Sequence, residues 1–296
     1  MAIRKAVIAV AGFGTRFLPA TKVQQKEMMP IVNKPVVQYL VEEAAASGIE
    51  EIVLVLRSGT RTIADHFNRS RRLESQLERQ KNDKLLKIVQ DIPKLAKLSF
   101  VWQGKDLPYG NGSPLLAARR FLSDGEPFVY MFGDDLVIAD TPCVRQLIDV
   151  YEQHNPSAVV AVQNVPRSET NRYGIVKTKP GREPLEMELI VEKPDPEKAP
   201  STLAQFGRFI LPARIIDILD HLELGIGNEL WLADAIDKLC QTERVLVHAV
   251  TGTWYTMGDP LRYLIANVEY ALRDPDVGRD FAAYLRTLDL TPGSGM

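Results

Sequence analysis

The stretch VIAVAGFGTRFLPATKVQQKEMMP, residues 7–30, decides how the chain is read. It begins inside KAVIAV (5–10), a short β-rich apolar run of the kind that forms a buried strand. The run flows into Gly12 and Gly14, and Arg16, Lys22 and Lys26 follow within about one loop's reach. Glycines at a strand end let backbone N–H groups come close to a phosphate. Three cations beside them point to an anion. The glycines fail as a dinucleotide fingerprint, because Phe17 stands at the third glycine position, and as a P-loop, because no Gly-Lys-Ser/Thr follows at the required distance. Taken alone, the pair is a tight turn.

Downstream, KPVVQYLVEEAAASG (34–48) has the pattern of a helix ended by Gly48, and EEIVLVL (50–56), KLSFVWQ (97–103) and PFVYMFG (127–133) read as further strands. Apolar strands separated by helices predict an α/β fold: an open, mostly parallel, twisted sheet with helices on both faces. RSRRLESQLERQKNDKLLKIVQD (69–91) reads as a charged amphipathic helix or helix pair. Its acids interleave with its bases, which favours a solvated excursion over a nucleic-acid surface. The second half changes character. SAVVAVQNV (157–165), YGIVKT (173–178), MELIVEKP (187–194) and LAQFGRFIL (203–211) are strands joined by Pro/Gly-rich turns. Helices near 212–221 and 230–241, the strand VLVHAV (245–250) and a long helix LRYLIANVEYALRDP (261–275) complete the pattern. The last helix carries Leu261, Leu264, Ile265, Val268 and Leu272 at helical spacing, a stripe that reads first as core and otherwise as a partner surface. No repeat or clear linker divides the chain. Residues 1–290 are expected to form one α/β domain with a β-rich elaboration in its second half, and TPGSGM (291–296) a disordered tail.

The 296 residues suffice for a large core, and 45% hydrophobic with 25% charged residues is an ordinary globular composition. A net charge of -2 gives no global basic field for nucleic acid or a lipid surface, so an anion site must be local. Cys143 and Cys240 lack metal-ligand spacing and fit a reducing compartment, with a disulfide left open; the scattered His66, His154, His221 and His248 make a zinc site of the usual kinds improbable. Neither a secretory leader nor a membrane span is expected, and the location is expected to be cytoplasmic.

The whole string GFGTRFLPATK…KEMMP resembles the signature G-x-G-T-R-x-x-P-x-T-x-x-x-P-K-x-x-x-P of the sugar nucleotidyltransferases. VEEAAASGIEEIVLV, FGDDLV, RYGIVKT, VEKPDPEKAPS, FGRFIL and GNELWLADAI follow in that family's order, so the resemblance covers nearly the full chain. It is most similar to the bacterial UTP–glucose-1-phosphate uridylyltransferases. The resemblance implies a Rossmann-like nucleotidyltransferase core, with residues 1–140 mainly nucleotide-binding, 141–260 mainly sugar-binding and 261–290 closing helices. It implies UTP and glucose 1-phosphate as substrates, Mg²⁺ as cofactor, and a homodimer or homotetramer. Ala11, Gly12, Gly14, Thr15 and Arg16 would cradle the triphosphate, with Lys26 beside the α-phosphate and Glu27 near the nucleotide. Gln103 would meet the base edge and Gly110 the adjacent turn. Asp134 would hold the metal. Gly174, Glu192 and Glu229 would face the sugar, and Lys193 its phosphate. Arg16, Lys26 and Lys193 form the implied catalytic set. The chemistry is consistent with this set: a phosphate nucleophile is already ionised, so alignment and charge compensation suffice without a general base.

Four departures from the pattern stand out. Gln25 replaces the proline before the motif lysine, which is expected to loosen the loop. GNGSP (110–114) stands for G-L-G-H-A and alters the base-side wall. WLADA (231–235) stands for Q-L-T-D-A, with Trp231 and Ala233 expected to reshape the floor near the sugar. Thr256, in Tyr255-Thr256-Met257-Gly258-Asp259, replaces an aspartate that is a second metal-side carboxylate in related enzymes. The hydroxyl could ligate weakly, and Asp259 is a further candidate. This last departure leaves open a catalytically silent, ligand-binding paralogue, and base choice leaves open another nucleotide such as dTTP or another sugar 1-phosphate.

Overall fold

The structure, a computed structural model, describes residues 2–291 apart from Asp124 and Arg182, so all but Thr291 of the tail expected to be disordered lies outside the described residues. β1 (Lys5–Val10) is followed by a short hairpin, β2 (Pro30–Ile31) and β3 (Lys34–Pro35), and by helix α1 (Val36–Ala46). β4 (Glu51–Arg57) leads into α2 (Thr62–Phe67), α3 (Arg71–Arg79) and α4 (Asp83–Asp91). Segment 69–91 is thus a helix pair. Next come β5 (Lys97–Gln103), α5 (Ser113–Ala118), β6 (Pro127–Phe132), β7 (Asp135–Ile138), α6 (Cys143–His154) and β8 (Ala158–Asn164). The hairpin of β9 (Gly174–Thr178) and β10 (Leu185–Glu192) precedes β11 (Leu203–Pro212), α7 (Ile215–Asp220) and α8 (Leu232–Thr242). β12 (Val245–Ala249), β13 (Thr253–Thr256), α9 (Pro260–Arg273) and α10 (Gly278–Leu285) complete it.

Among the described residues, nine strands form one sheet in the order β5-β4-β1-β6-β11-β8-β12-β10-β9. The first-half strands β5, β4, β1 and β6 pair in parallel, with the helices between them supplying the crossovers. The sheet as a whole is mixed, not mostly parallel. β11 runs antiparallel to both β6 and β8, and β10 antiparallel to both β9 and β12. The reason is connection length: the short turn between β9 and β10 permits only an antiparallel neighbour. One edge of β11 pairs with β9 at Leu203 and Ala204 and with β6 from Arg208 onward. The β-rich second half thereby curls back onto the parallel half and forms a second wall beside the carboxyl ends of its strands.

Strand residues divide by parity between two cores. Ala6, Ile8 and Val10 of β1 and Ile52, Leu54 and Leu56 of β4 pack with α1, α2 and α6 on one face. Val7, Val53 and Val55 pack with α5, α7 and α8 on the other. That period-two division within uninterrupted apolar runs is what a doubly covered sheet demands. Cys143 and Cys240 are free and buried in opposite cores, so the sheet separates them and no disulfide joins them.

On α9 only Ala266 is buried, while Leu261 and Leu264 are 67% and 60% exposed. The stripe is therefore surface, not core. Among the described residues no helix is long and apolar enough to cross a membrane.

Candidate active site

The carboxyl ends of β1, β4, β5 and β6 open onto a cleft of about 650 Å³, the place where ligands bind in open α/β sheets. Ala11, Gly12, Gly14, Thr15 and Arg16 line it after β1, Gln103 at the end of β5, and Asp134 after β6. Gly14 adopts φ 64, and its carbonyl accepts from Thr21 Oγ1 at 2.8 Å, which fixes the turn the sequence suggested. Gly110 has φ 132, and a Cβ there would lie 2.3 Å from the Leu230 carbonyl. The glycine lets residues 109–112 hydrogen-bond to Leu230, through Leu230 N to the Tyr109 carbonyl at 2.7 Å and Gly112 N to the Leu230 carbonyl at 3.0 Å. Lys22 is exposed and lines no part of the cleft.

The cleft floor carries the charge. Lys26 Nζ donates to Asp134 Oδ2 at 2.6 Å and stands 4.0 Å from Glu27 Oε1. Burial alone would lower the Lys26 ammonium, but Asp134 and Glu27 outweigh it and hold it above the usual lysine range. Burial alone would raise Asp134, and Lys26 keeps it below the usual carboxylate range. Glu27 is 2% exposed, its Oε2 has no hydrogen-bond partner, and burial pushes its carboxyl up to about 7 against the pull of Lys26. Arg16 reaches over the same floor and donates from Nη1 to the Gly258 carbonyl at 3.1 Å.

A second cleft of about 430 Å³ adjoins the first and is lined by Gly174, Glu192, Gln205, Phe206 and Trp254. Burial pushes Glu192 up to about 7, opposed by Lys193, whose Nζ stands 3.8 Å away. Three charged residues line both clefts: Arg16, Asp134 and Lys193. The structure therefore gathers the residues singled out from sequence into one continuous cavity. Glu229 lines its first part rather than the second.

A profile of the family described as nucleotidyl transferase matches residues 5–272. The chain belongs to the nucleotidyl transferase family. A UTP–glucose-1-phosphate uridylyltransferase of Staphylococcus epidermidis is 42% identical over 290 residues, 97% of this chain and 99% of that protein. A UTP-bound UGPase from Acinetobacter baumannii is 33% identical, with a TM-score of 0.85 over 97% of this chain and 100% of that one. A UDP-glucose pyrophosphorylase complexed with UDP-glucose is 32% identical, with a TM-score of 0.83 over 92% of this chain and 100% of that one.

The departures from the family pattern each have a local account. Gln25 is buried; its Nε2 donates to the Val10 carbonyl at 2.9 Å and its Oε1 accepts from Thr62 at 3.3 Å. It ties the loop to the end of β1 instead of loosening it. Thr256 pairs across β13 and β7 with Asp135 and accepts from Gly258 N at 3.2 Å, beside Asp134. Asp135 itself faces inward: its oxygens accept from Trp254 Nε1 at 2.7 Å and Gly207 N at 2.9 Å, and burial together with Asp134 raises its pKa. Asp259 is committed elsewhere. It caps α9 through Arg262 N and pairs with Arg172 and Arg262, and these contacts hold it at about 2 despite burial. Trp231 lies under Lys193, whose Nζ is 3.9 Å from the ring centroid. Ala233 is core, not cleft floor.

Sequence reasoning missed Arg57 and Ser58, Tyr109, Arg172, Gln205, Phe206 and Trp254. Arg57 and Ser58 sit at the carboxyl end of a parallel strand, a signal that could have found them. Gln205 was legible only as the one amide in the apolar run LAQFGRFIL.

Proposed function

We propose that the chain transfers a uridylyl group from UTP to glucose 1-phosphate, giving UDP-glucose and pyrophosphate. Its family, and relatives named for this reaction, for bound UTP and for bound UDP-glucose, support that activity. The observation that carries it is the junction of the two clefts, where Arg16, Asp134 and Lys193 meet. A nucleotide in the first cleft and a sugar phosphate in the second would bring two anions to the place where the cations converge.

The Rossmann-like half, residues 1–140, takes the nucleotide, residues 141–260 take the sugar phosphate, and 1–290 act as one domain. Ala11, Gly12, Gly14 and Thr15 hold the triphosphate, Glu27 lies near the nucleotide, and Gln103 and Gly110 meet the base. Lys193 orients the sugar phosphate, with Gly174, Glu192 and Glu229 on the sugar. A phosphate oxygen attacks the α-phosphorus in line, the bond to the β-bridging oxygen breaks, and pyrophosphate leaves carrying the electron pair. Arg16 and Lys26 offset the charge that develops, and no proton need move.

Among the described residues no three carboxylate, histidine or cysteine side chains cluster as a closed metal cage. An open site built on one carboxylate and substrate phosphates is the usual arrangement for Mg²⁺, and Asp134, ionised and facing the cleft with the Thr256 hydroxyl nearby, fits it. Mg²⁺ held there would draw charge from the phosphates. We read the location as cytoplasmic and the assembly as a homodimer or homotetramer, the exposed stripe of α9 being the surface that supports association.

The test is pyrophosphate release with Mg²⁺ across UTP, dTTP, ATP, CTP and GTP against several sugar 1-phosphates. A signal confined to UTP with glucose 1-phosphate is expected. Thr256 favours a second reading, a silent binding paralogue; retained UTP binding without release from any pair would establish that instead.

A further inference from the structure

Among the described residues, three buried side-chain oxygens lack a hydrogen-bond partner: Glu27 Oε2, Glu192 Oε2 and Gln205 Oε1. All three residues line the double cleft. Buried acceptors left unpaired are rare, and where they cluster at a cavity they mark what the cavity is built to bind. Glu27 and Glu192 carry assignments above; Gln205 carries none. It is 6% exposed, sits in β11 between Ala204 and Phe206, and its Oε1 has no hydrogen-bond partner among the described residues. An apolar residue in that strand would avoid the cost of a buried unpaired amide.

We propose that Gln205 reads a hydroxyl of the sugar 1-phosphate, acting with Glu192 as a pair of acceptors; this rests on the uridylyl-transfer reading above. Gly174 holds the two together. A Cβ at Gly174 would lie 3.1 Å from both Gln205 Nε2 and Glu192 Oε2, and 2.9 Å from Gln205 Cγ, so the glycine keeps open the space they share. Among the described residues no hydrogen bond joins the two side chains, so Glu192 Oε2 and Gln205 Oε1 are both left to accept from a ligand. Two acceptors require a ligand with donors, which hydroxyl groups supply. Beside them Phe206 and Trp254 stack on each other with centroids 5.0 Å apart at 16°, an apolar backing to this wall of the cleft.

The test compares the wild type with Gln205→Leu and Gln205→Met, using UTP and glucose 1-phosphate or its 2-, 3-, 4- and 6-deoxy derivatives. The wild type is expected to discriminate against at least one deoxy compound by roughly tenfold or more in kcat/KM, because the amide is then left unpaired. Both variants should reduce that ratio to within about threefold, with KM for UTP unchanged and the Tm of the ligand-free protein raised. Equal losses for every sugar phosphate, or discrimination that survives both substitutions, would overturn the assignment. Should the wild type turn over no pair, the transfer reading falls, and calorimetric binding of the same sugar phosphates still decides whether Gln205 discriminates among them.

Discussion

Glu27→Gln isolates the electrostatic cost of the cleft floor. The carboxyl of Glu27 rises from 4.5 to about 7, mainly through burial. Between those values the folded state holds a proton that the unfolded state has released, so the wild type loses stability as pH rises from about 4.5 to 7, and the loss is complete above 7. A shift of about 2.5 units at ~1.36 kcal/mol per unit amounts to roughly 3 kcal/mol. Glutamine does not titrate, and its own buried amide contributes a constant offset. The stability of the variant minus that of the wild type should therefore increase by roughly 3 kcal/mol between pH 4.5 and 8. With an unfolding entropy of ~2.1 cal/mol/K per residue, the 296 residues give ~0.6 kcal/mol/K, so the Tm difference should widen by about 5 °C. Paired thermal melts of ligand-free protein at half-unit pH steps measure it, other titrating groups cancelling in the difference. A Tm difference constant to within about 1 °C across that range would refute the reasoning.

Arg208 is fully buried and donates from Nε and Nη2 to Glu43 at 2.9 and 2.6 Å, so Arg208→Met leaves the largely enclosed Glu43 carboxylate without its ion-pair partner and should cost about 3 kcal/mol in urea unfolding, with Arg208→Met/Glu43→Leu recovering part of it. Trp231→Leu removes the ring under Lys193, and a cation–π contact worth ~1 kcal/mol predicts a KM for glucose 1-phosphate raised about fivefold, with Trp231→Phe intermediate. Thr256→Asp sets a carboxylate beside Asp134, and the Mg²⁺ concentration for half-maximal rate should fall severalfold; a rise would show that Thr256 does not face the metal.

Strand positions were legible because buried β-strands are short apolar runs, and each run named from sequence is a strand in the structure. α6 was not anticipated: CVRQLIDVYEQH mixes apolar and charged residues at a spacing that only the helical period resolves, although Asn155 at φ 45 and Pro156 mark its end. The mixed sheet was hidden because strand direction depends on partners distant in sequence, and β11 changes partner along its length. Motif residues of the site were legible as strings. Gln205 and Trp254 were not, since each reads as an ordinary strand residue until the fold turns it toward the cavity.

The same limit applies to the departures from the family pattern, which look independent in sequence and are not. Asn111, in the altered segment 110–114, accepts from Leu232 N at 2.8 Å through Oδ1, and its carbonyl accepts from Tyr130 at 2.7 Å. Leu232 is the first residue of α8 and follows Trp231, whose Nε1 donates to the Ile226 carbonyl at 2.8 Å. Helix starts leave N–H groups without partners, and here the side chain that satisfies one comes from the other altered segment. Asn111 thus fixes the start of α8, that start fixes the indole, and the indole underlies the ammonium of Lys193. A change in the wall of the first cleft and a change beside the second are one structural unit, joined at Lys193, which lines both clefts.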